Sequence, residues 1–358
     1  MKILAFALSG IGDALMFSPA IRLLKQYKPN CEIDILAMYK GVKEIYETNP
    51  FVNKVIYFDF LKEGYIKSLK FLLSLRKKYD VSINVYPSNR KEYNIISFLV
   101  GAKIRLAVKY KFLDFSNLGF LNNLRIEESI LNHNVETNVL MISKLLNLAS
   151  EQLPPLDLFI SEDIEKKAEE YFSSLKVPNS TFIFGFHPGC STLKNHINRR
   201  WSPDYFAELI NLIDKNYDAI FFLFGGPDEI ELRSYIKKKS NSNRVYIINA
   251  NSFLETAALI KKCDVFITND SGLMHAAAAV KAKVLPIIGP TNLHFIKPWR
   301  TTFEAATLNL ECSPCFFYSP KPLNCKRNDI KYKCVKELTP NFVFNKFKIL
   351  LDHNIANK

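Results

Sequence analysis

Residues 265–280 read Val-Phe-Ile-Thr-Asn-Asp-Ser-Gly-Leu-Met-His-Ala-Ala-Ala-Ala-Val. A run of β-branched and aromatic residues ends at Asn269-Asp270-Ser271-Gly272, and a helix of small residues follows. A strand that passes into a helix through a few turn-forming residues is one βα unit. The first N–H groups of its helix have no partner within the helix and suit an anion.

The same alternation extends in both directions. Upstream, 181–186, 219–224 and 244–248 read as strands, with helical periods at 203–215, 229–239 and 253–262; downstream, 284–288 is a fifth strand. In the first half, 2–8, 32–37, 54–58 and 81–86 read as strands and 14–27, 65–78 and 134–147 as helices. The strands are almost continuously apolar, which places them in parallel sheets covered by helices on both faces. The fold class is therefore α/β, with two Rossmann-like doubly wound domains. A change of composition through Ser150, Pro154 and Pro155 divides them into 1–150 and 151–338, and 339–358 carries a last helix from Pro340.

The chain has 358 residues, 48% hydrophobic and 23% charged, enough for about two domains, and this composition excludes disordered, collagenous and small disulfide-framework classes. Forty-eight Lys and Arg against 35 Asp and Glu give +13, which favours anionic partners: sugar nucleotides, an acidic membrane surface or nucleic acid. With no basic-aromatic recognition motif, nucleic acid is not expected. The apolar start from Ile3 to Leu8 is interrupted by Ser9, Gly10, Gly12 and Asp13 too early for a signal peptide, and the expected location is cytoplasmic. Seven cysteines agree with a reducing compartment. In 65–78, Lys67, Lys70, Arg76, Lys77 and Lys78 alternate with Ile66, Leu69, Leu72 and Leu73. That pattern fits a membrane-surface helix or, as preferred here, an amphipathic cover on the sheet.

Chemistry-bearing residues gather where strands end. Ser9-Gly10-Ile11-Gly12-Asp13 follows the first strand, but Leu15 stands where a dinucleotide fingerprint needs its third glycine. Asp13 is either a helix-terminal acid or a base. His187-Pro188-Gly189-Cys190-Ser191-Thr192 offers backbone and hydroxyl donors to a phosphate, and Arg199-Arg200-Trp201 offers guanidinium groups. Gly225-Gly226-Pro227-Asp228-Glu229 and Gly289-Pro290-Thr291 repeat the placement. Asp270 suits sugar hydroxyls, and His275 lies one helical turn beyond Ser271. Cys312-x-x-Cys315, Cys325 and Cys334 have a loose zinc-like spacing, with four reduced thiols as the alternative.

In order and spacing these elements resemble glycosyltransferase family nine, the ADP-heptose:lipopolysaccharide heptosyltransferases, along nearly the whole chain. The resemblance implies a GT-B fold, with acceptor bound mainly by the first domain, sugar nucleotide by the second, and the last helix packed back on the first. It implies an inverting transfer from ADP-heptose to an anionic lipopolysaccharide core acceptor, with Asp13 as general base and Gly10 and Gly12 in the acceptor-side turn. Ser191, Thr192 and Arg200 would contact the donor phosphates, Glu229 the nucleoside, and Asp270, Ser271, Gly272 and His275 the donor sugar and diphosphate. No Asp-x-Asp pair ends a strand, so no catalytic cofactor is expected; a structural zinc at the four cysteines is the one metal considered. A peripheral position on the inner membrane follows from the acceptor. The alternatives are another nucleotide sugar, with a hexose or N-acetylhexosamine, or a non-catalytic glycan-binding protein.

Overall fold

The computed structural model describes residues 1–149, 153–175, 181–316 and 322–352, so Ser150 and 353–358 of the expected domains lie outside the described residues. The chain divides into two compact units, Met1–Phe159 and Ile160–Lys358.

The first unit runs β1 (Lys2–Ala7), α1 (Ile11–Tyr27), β2 (Glu32–Ala37), α2 (Lys40–Glu47), β3 (Lys54–Tyr57), α3 (Gly64–Ser74), β4 (Val81–Asn84), α4 (Lys91–Val100), β5 (Ile104–Lys109), β6 (Leu124–Glu127) and α5 (Asn134–Leu146). Its strands form one parallel sheet in the order β3-β2-β1-β4-β5-β6. Central β1 pairs Ile3 with Ile33 on one side and with Val81 on the other. Ile3 to Ala7 are buried, which is why that strand shows no alternation in its sequence. The strand order reverses between β1 and β4, the position at which such sheets open a ligand crevice.

Two expectations change in this unit. Its boundary falls at Phe159 rather than Ser150, for a reason that lies inside α1. Pro19 has no N–H for the Leu15 carbonyl, and the Ser18 hydroxyl donates to that carbonyl instead at 2.7 Å. The Asp157 N–H donates to Ser18 Oγ at 2.8 Å, and Arg22 Nε donates to the Asp157 carboxylate at 3.0 Å, so the presumed linker is tied to α1. The second change concerns α3. Leu72 and Leu75 face the core and Phe71 stacks on Phe58, but Ile66, Leu69 and Leu73 point outward and are 75%, 46% and 46% exposed. Three of the four apolar residues assigned to a covering face are therefore on the surface.

The second unit contains α6 (Glu162–Ser174), β7 (Phe182–His187), α7 (Pro203–Asn216), β8 (Ala219–Leu223), α8 (Ile230–Lys239), β9 (Val245–Ile247), α9 (Phe253–Ile260), β10 (Val265–Asn269), α10 (Gly272–Ala279), β11 (Val284–Ile287), α11 (Leu293–Ile296), α12 (Lys333–Lys336) and α13 (Pro340–Asp352). The parallel order is β11-β10-β7-β8-β9, with the switch between β7 and β10. Phe184, Phe186, Phe221 and Ile267 fill one face of this sheet and Ile183, Phe222, Phe224 and Phe266 the other.

The last helix does not leave this unit. Val343, Phe347, Leu350 and Leu351 of α13 recur at helical spacing and are buried against α7 and β11, with the Phe347 ring edge-on to Phe184 at 4.9 Å. Trp201 Nε1 donates to the Leu338 carbonyl at 2.6 Å and fixes the approach to the helix. The apolar stripe of the helix is taken up within the second unit, beside Phe184 and Tyr217.

Candidate functional site

In the second unit the site forms where β7 and β10 end side by side at the switch. His187, last residue of β7, is buried and uses both ring nitrogens: Nε2 donates to Glu229 Oε2 at 3.1 Å, and Nδ1 accepts from the Ser271 hydroxyl at 2.9 Å. One side chain therefore links the segment after β8 to the start of α10. Glu229 also accepts from the Gly226 N–H and from Arg200 Nη2, each at 3.1 Å. Burial by itself would raise the Glu229 carboxyl, but His187, the Gly226 amide and Arg200 together hold it below the usual carboxylate range. Glycine is required on both sides of it. A Cβ on Gly189 would lie 1.7 Å from Glu229 Oε1, and one on Gly225 2.7 Å from Oε2.

A second ion pair lies on β10's turn. Arg199 Nη1 donates to Asp270 Oδ2 at 2.6 Å, and the Thr291 hydroxyl donates to the same oxygen at 2.6 Å. Asn269 clamps the two arginines into register: its Oδ1 accepts from the Trp201 N–H at 3.0 Å while its Nδ2 donates to the Pro188 carbonyl at 2.7 Å. Arg199 Nε and Arg200 Nε are buried with no partner. No side chain caps the first turn of α10. Guanidinium groups and a helix start without a side-chain cap are the kinds of donor that suit an anion.

The structure brings Arg200, Glu229, Asp270, Ser271 and Gly272 together, but not the remaining candidates of this unit. Ser191 and Thr192 are exposed on the loop after Cys190 and bond to none of the cluster's side chains. His275 is buried beneath the loop with Nδ1 unpartnered, and burial lowers it to about 4 despite the pull of Asp270. It is a neutral core histidine at neutral pH. Sequence reasoning left His187 and Asn269 without assigned roles, although both stand in the quoted motifs, and offered Arg199 with Arg200 to a phosphate without its acid partner. The doubled Arg199-Arg200 was the available signal: two adjacent cations at a strand-end loop need two acids, and Asp270 and Glu229 supply them.

In the first unit Asp13 sits half-buried in the first turn of α1, and Gly10 is the N-cap. The backbone of Gly10, at φ −71° and ψ 174°, is open to any residue, and a Cβ there would meet nothing within 4 Å. No sharp turn demands this glycine; Gly12, by contrast, is buried in the helix. Tyrosines fix the turn instead. Tyr93 donates to the Leu8 carbonyl at 2.8 Å before it and Tyr46 to the Ala14 carbonyl at 2.7 Å after it. Burial, with a contribution from the Asp13 charge, raises both phenols, Tyr93 to about 12, so they remain donors.

Cys312, Cys315 and Cys325 neighbour Cys334. Cys312 Sγ accepts from Arg327 at 3.5 Å, Cys325 Sγ accepts from the Tyr332 N–H at 3.3 Å, and Cys334 is buried beside Gly289. Burial first, then its three neighbouring thiols, push Cys334 up to about 11. Among the described residues no three His, Cys, Asp or Glu side chains are arranged to hold a metal ion. Among the described residues, no helix is long and apolar enough to cross a membrane.

Two doubly wound parallel-sheet units are the architecture of the GT-B fold. Residues 68–325 match glycosyltransferase family 9 (heptosyltransferase), and the chain belongs to that family. It is 26% identical to lipooligosaccharide heptosyltransferase 2 of Campylobacter jejuni serotype O:2 over 99% of both chains. With lipopolysaccharide heptosyltransferase 2 of Escherichia coli K12 it shares 26% identity over 83% of this chain and 85% of that one. The solved E. coli ADP-heptose lipopolysaccharide heptosyltransferase II superposes with a TM-score of 0.74, 23% identity and 99% coverage of both chains. A family 9 glycosyltransferase from Veillonella parvula gives 0.75 at 19% identity, covering 98% of this chain and 97% of that one.

Proposed function

We propose that the protein is an inverting heptosyltransferase that moves heptose from ADP-heptose to a hydroxyl of an anionic lipopolysaccharide core acceptor. The observation that carries this reading is the paired cluster Arg199–Asp270 and Arg200–Glu229 at the β7–β10 switch, within a family whose named relatives include lipopolysaccharide heptosyltransferases. In this reading Asp13 takes the proton of the acceptor hydroxyl as its oxygen bonds to the anomeric carbon. The bond from that carbon to the phosphate oxygen breaks, and ADP leaves with the electron pair. Arg199, Arg200 and the start of α10 receive the charge that develops on the diphosphate, while Asp270 accepts from sugar hydroxyls and Glu229 orients the nucleoside. Ser191 and Thr192, exposed on the loop after Cys190, offer their hydroxyls to the phosphates. The diphosphate charge is answered by these groups, so transfer is expected to need no metal cofactor. The acceptor is a glycolipid, and the enzyme works peripherally on the inner leaflet from the cytoplasm.

Donor titration by calorimetry tests the reading. ADP-heptose should bind, and ADP should bind better than UDP; a preference for UDP or for a hexose nucleotide would move the protein to another donor, and binding without turnover on any core acceptor would make it a glycan-binding protein. Full activity in EDTA is expected, and reversible loss on chelation would overturn the metal-free transfer.

A further inference from the structure

The loop that carries Arg199 does not hold its own shape. Between Leu193 and Arg199 the backbone makes a run of tight turns in which Lys194 and Asn195 have φ 52° and 63°, a left-handed conformation that residues with a Cβ adopt at a cost. Its support comes from the cysteine-bearing stretch, far along the chain. The Leu323 N–H donates to the Lys194 carbonyl at 3.0 Å, and Asn195 Nδ2 donates to the Leu323 carbonyl at 3.4 Å. Half-buried Phe316 meets two side chains of the loop. Its ring lies edge to face with His196 at 5.0 Å, and the Arg199 guanidinium carbon lies over the ring, 5.6 Å from its centroid.

The same stretch grips the turn that supports Asp270. The Ser313 hydroxyl donates to the Gly289 carbonyl at 2.8 Å, and the N–H groups of Cys315 and Phe316 both donate to the Pro290 carbonyl at 3.0 Å. Thr291, paired with Phe316 in a parallel bridge, is the residue whose hydroxyl donates to Asp270 Oδ2. Phe316 therefore stands at both ends of one ion pair: its ring is on Arg199, and its backbone is on the turn that reaches Asp270. An aromatic face attracts a cation without consuming any of its N–H donors, so it fixes the guanidinium and leaves the donors for a ligand. We infer that Phe316 is a positioning residue for sugar-nucleotide binding, acting through Arg199, and that the cysteine-bearing stretch serves the donor site as the strap that carries it. The inference rests on the reading of Arg199 as a diphosphate ligand.

Calorimetric titration of the full chain with the diphosphate nucleotide it prefers, ADP or UDP, tests it beside steady-state transfer. Phe316→Leu keeps an apolar side chain against His196 but removes the ring face; nucleotide Kd and donor KM should rise about three- to tenfold. At saturating donor kcat should stay within about twofold of the parent, and thermal stability should be close to the parent's. Phe316→Tyr, which keeps the face, should restore parental values. Arg199→Gln, which still offers a donor to Asp270, should weaken the nucleotide by itself, and adding Phe316→Leu to it should weaken binding no further, because the ring then has no cation to hold. Parental affinity in Phe316→Leu beside a weakened Arg199→Gln would overturn the positioning role and leave the diphosphate reading standing. Undiminished nucleotide binding in Arg199→Gln, or a parent that binds neither nucleotide, would overturn the diphosphate reading and the proposal with it. Additive losses in the double variant would make Phe316 an ordinary packing residue and overturn the proposal. So would a Phe316→Leu protein that loses melting temperature and kcat together and is not restored by Phe316→Tyr.

Discussion

The two sheets end in different kinds of surface. In the second unit the carboxyl edge is a closed set of charges: Arg199 and Asp270 are 11% and 10% exposed, Arg200 and Glu229 17% and 12%, with His187 between the segments. Buried pairs of this kind are held by mutual hydrogen bonds, and removing one member strands the other in a poor solvent for charge. In the first unit the Asp13 turn is fixed at the backbone by phenols that donate to the Leu8 and Ala14 carbonyls, and beyond β4 an amide set joins Asn84, Asn94 and Asn122. The difference separates two tasks. In the proposed reading the second unit keeps its cations fixed for a charged donor, and the first fixes the backbone that carries the proposed base.

The largest effect should come from Asp13→Asn, which keeps shape and removes basicity. Turnover is expected to fall about 10²- to 10⁴-fold with donor Kd nearly unchanged. Turnover within a few-fold of the parent would erase the distinction between the units. Next is acid sensitivity arising in the second unit. His275 has a folded value near 4 against an ordinary 6.5, so the unfolded chain binds the proton more readily. Its contribution is complete above pH 6.5 and is lost as pH falls toward 4, at about 1.4 kcal/mol per pH unit and about 3 kcal/mol in all. Thermal melts across that range should show the decline in the parent and a smaller one in His275→Met; parallel curves would mean that other groups set the acid limit.

Asp270→Ala should leave turnover at saturating donor closer to normal than Asp13→Asn does, but weaken ADP-sugar binding by about ten- to a hundredfold, since a sugar hydroxyl and Arg199 both lose their acceptor. ADP itself, without the sugar, should lose less; equal losses for the two ligands would show that Asp270 acts only through Arg199. The smallest effect is expected from Tyr93→Phe. Losing the bond to the Leu8 carbonyl should cost about 1 kcal/mol of stability, and kcat should fall with donor KM unchanged. A change in donor KM instead would break the assignment of the tyrosine to the acid's backbone.

The quoted segment 265–280 was readable because β10 is buried on both faces and α10 is built of small residues, so composition alone separates strand from helix. The element β6, with the sequence Leu-Arg-Ile-Glu and half-exposed, and α4, rich in β-branched and aromatic residues, gave no such contrast. Local sequence also located Asp13, Arg200, Glu229 and Asp270, because chemistry in such sheets collects where apolar runs stop. It did not supply partners. His187 finds Glu229 forty-two positions away and Ser271 eighty-four away, and no local period encodes those pairings. The outward face of α3 escaped for a related reason. Ile66, Leu69, Leu72 and Leu73 have helical spacing whether or not a core receives them, and it was Phe58 and Phe71 that set which side turned inward. The destination of α13 was decided in the same way: its stripe guaranteed burial somewhere, and the space beside Phe184 made it the second unit. Sequence fixes which residues must leave water and which backbone can turn; only the packed chain decides against what, because burial energy follows area and carries no address.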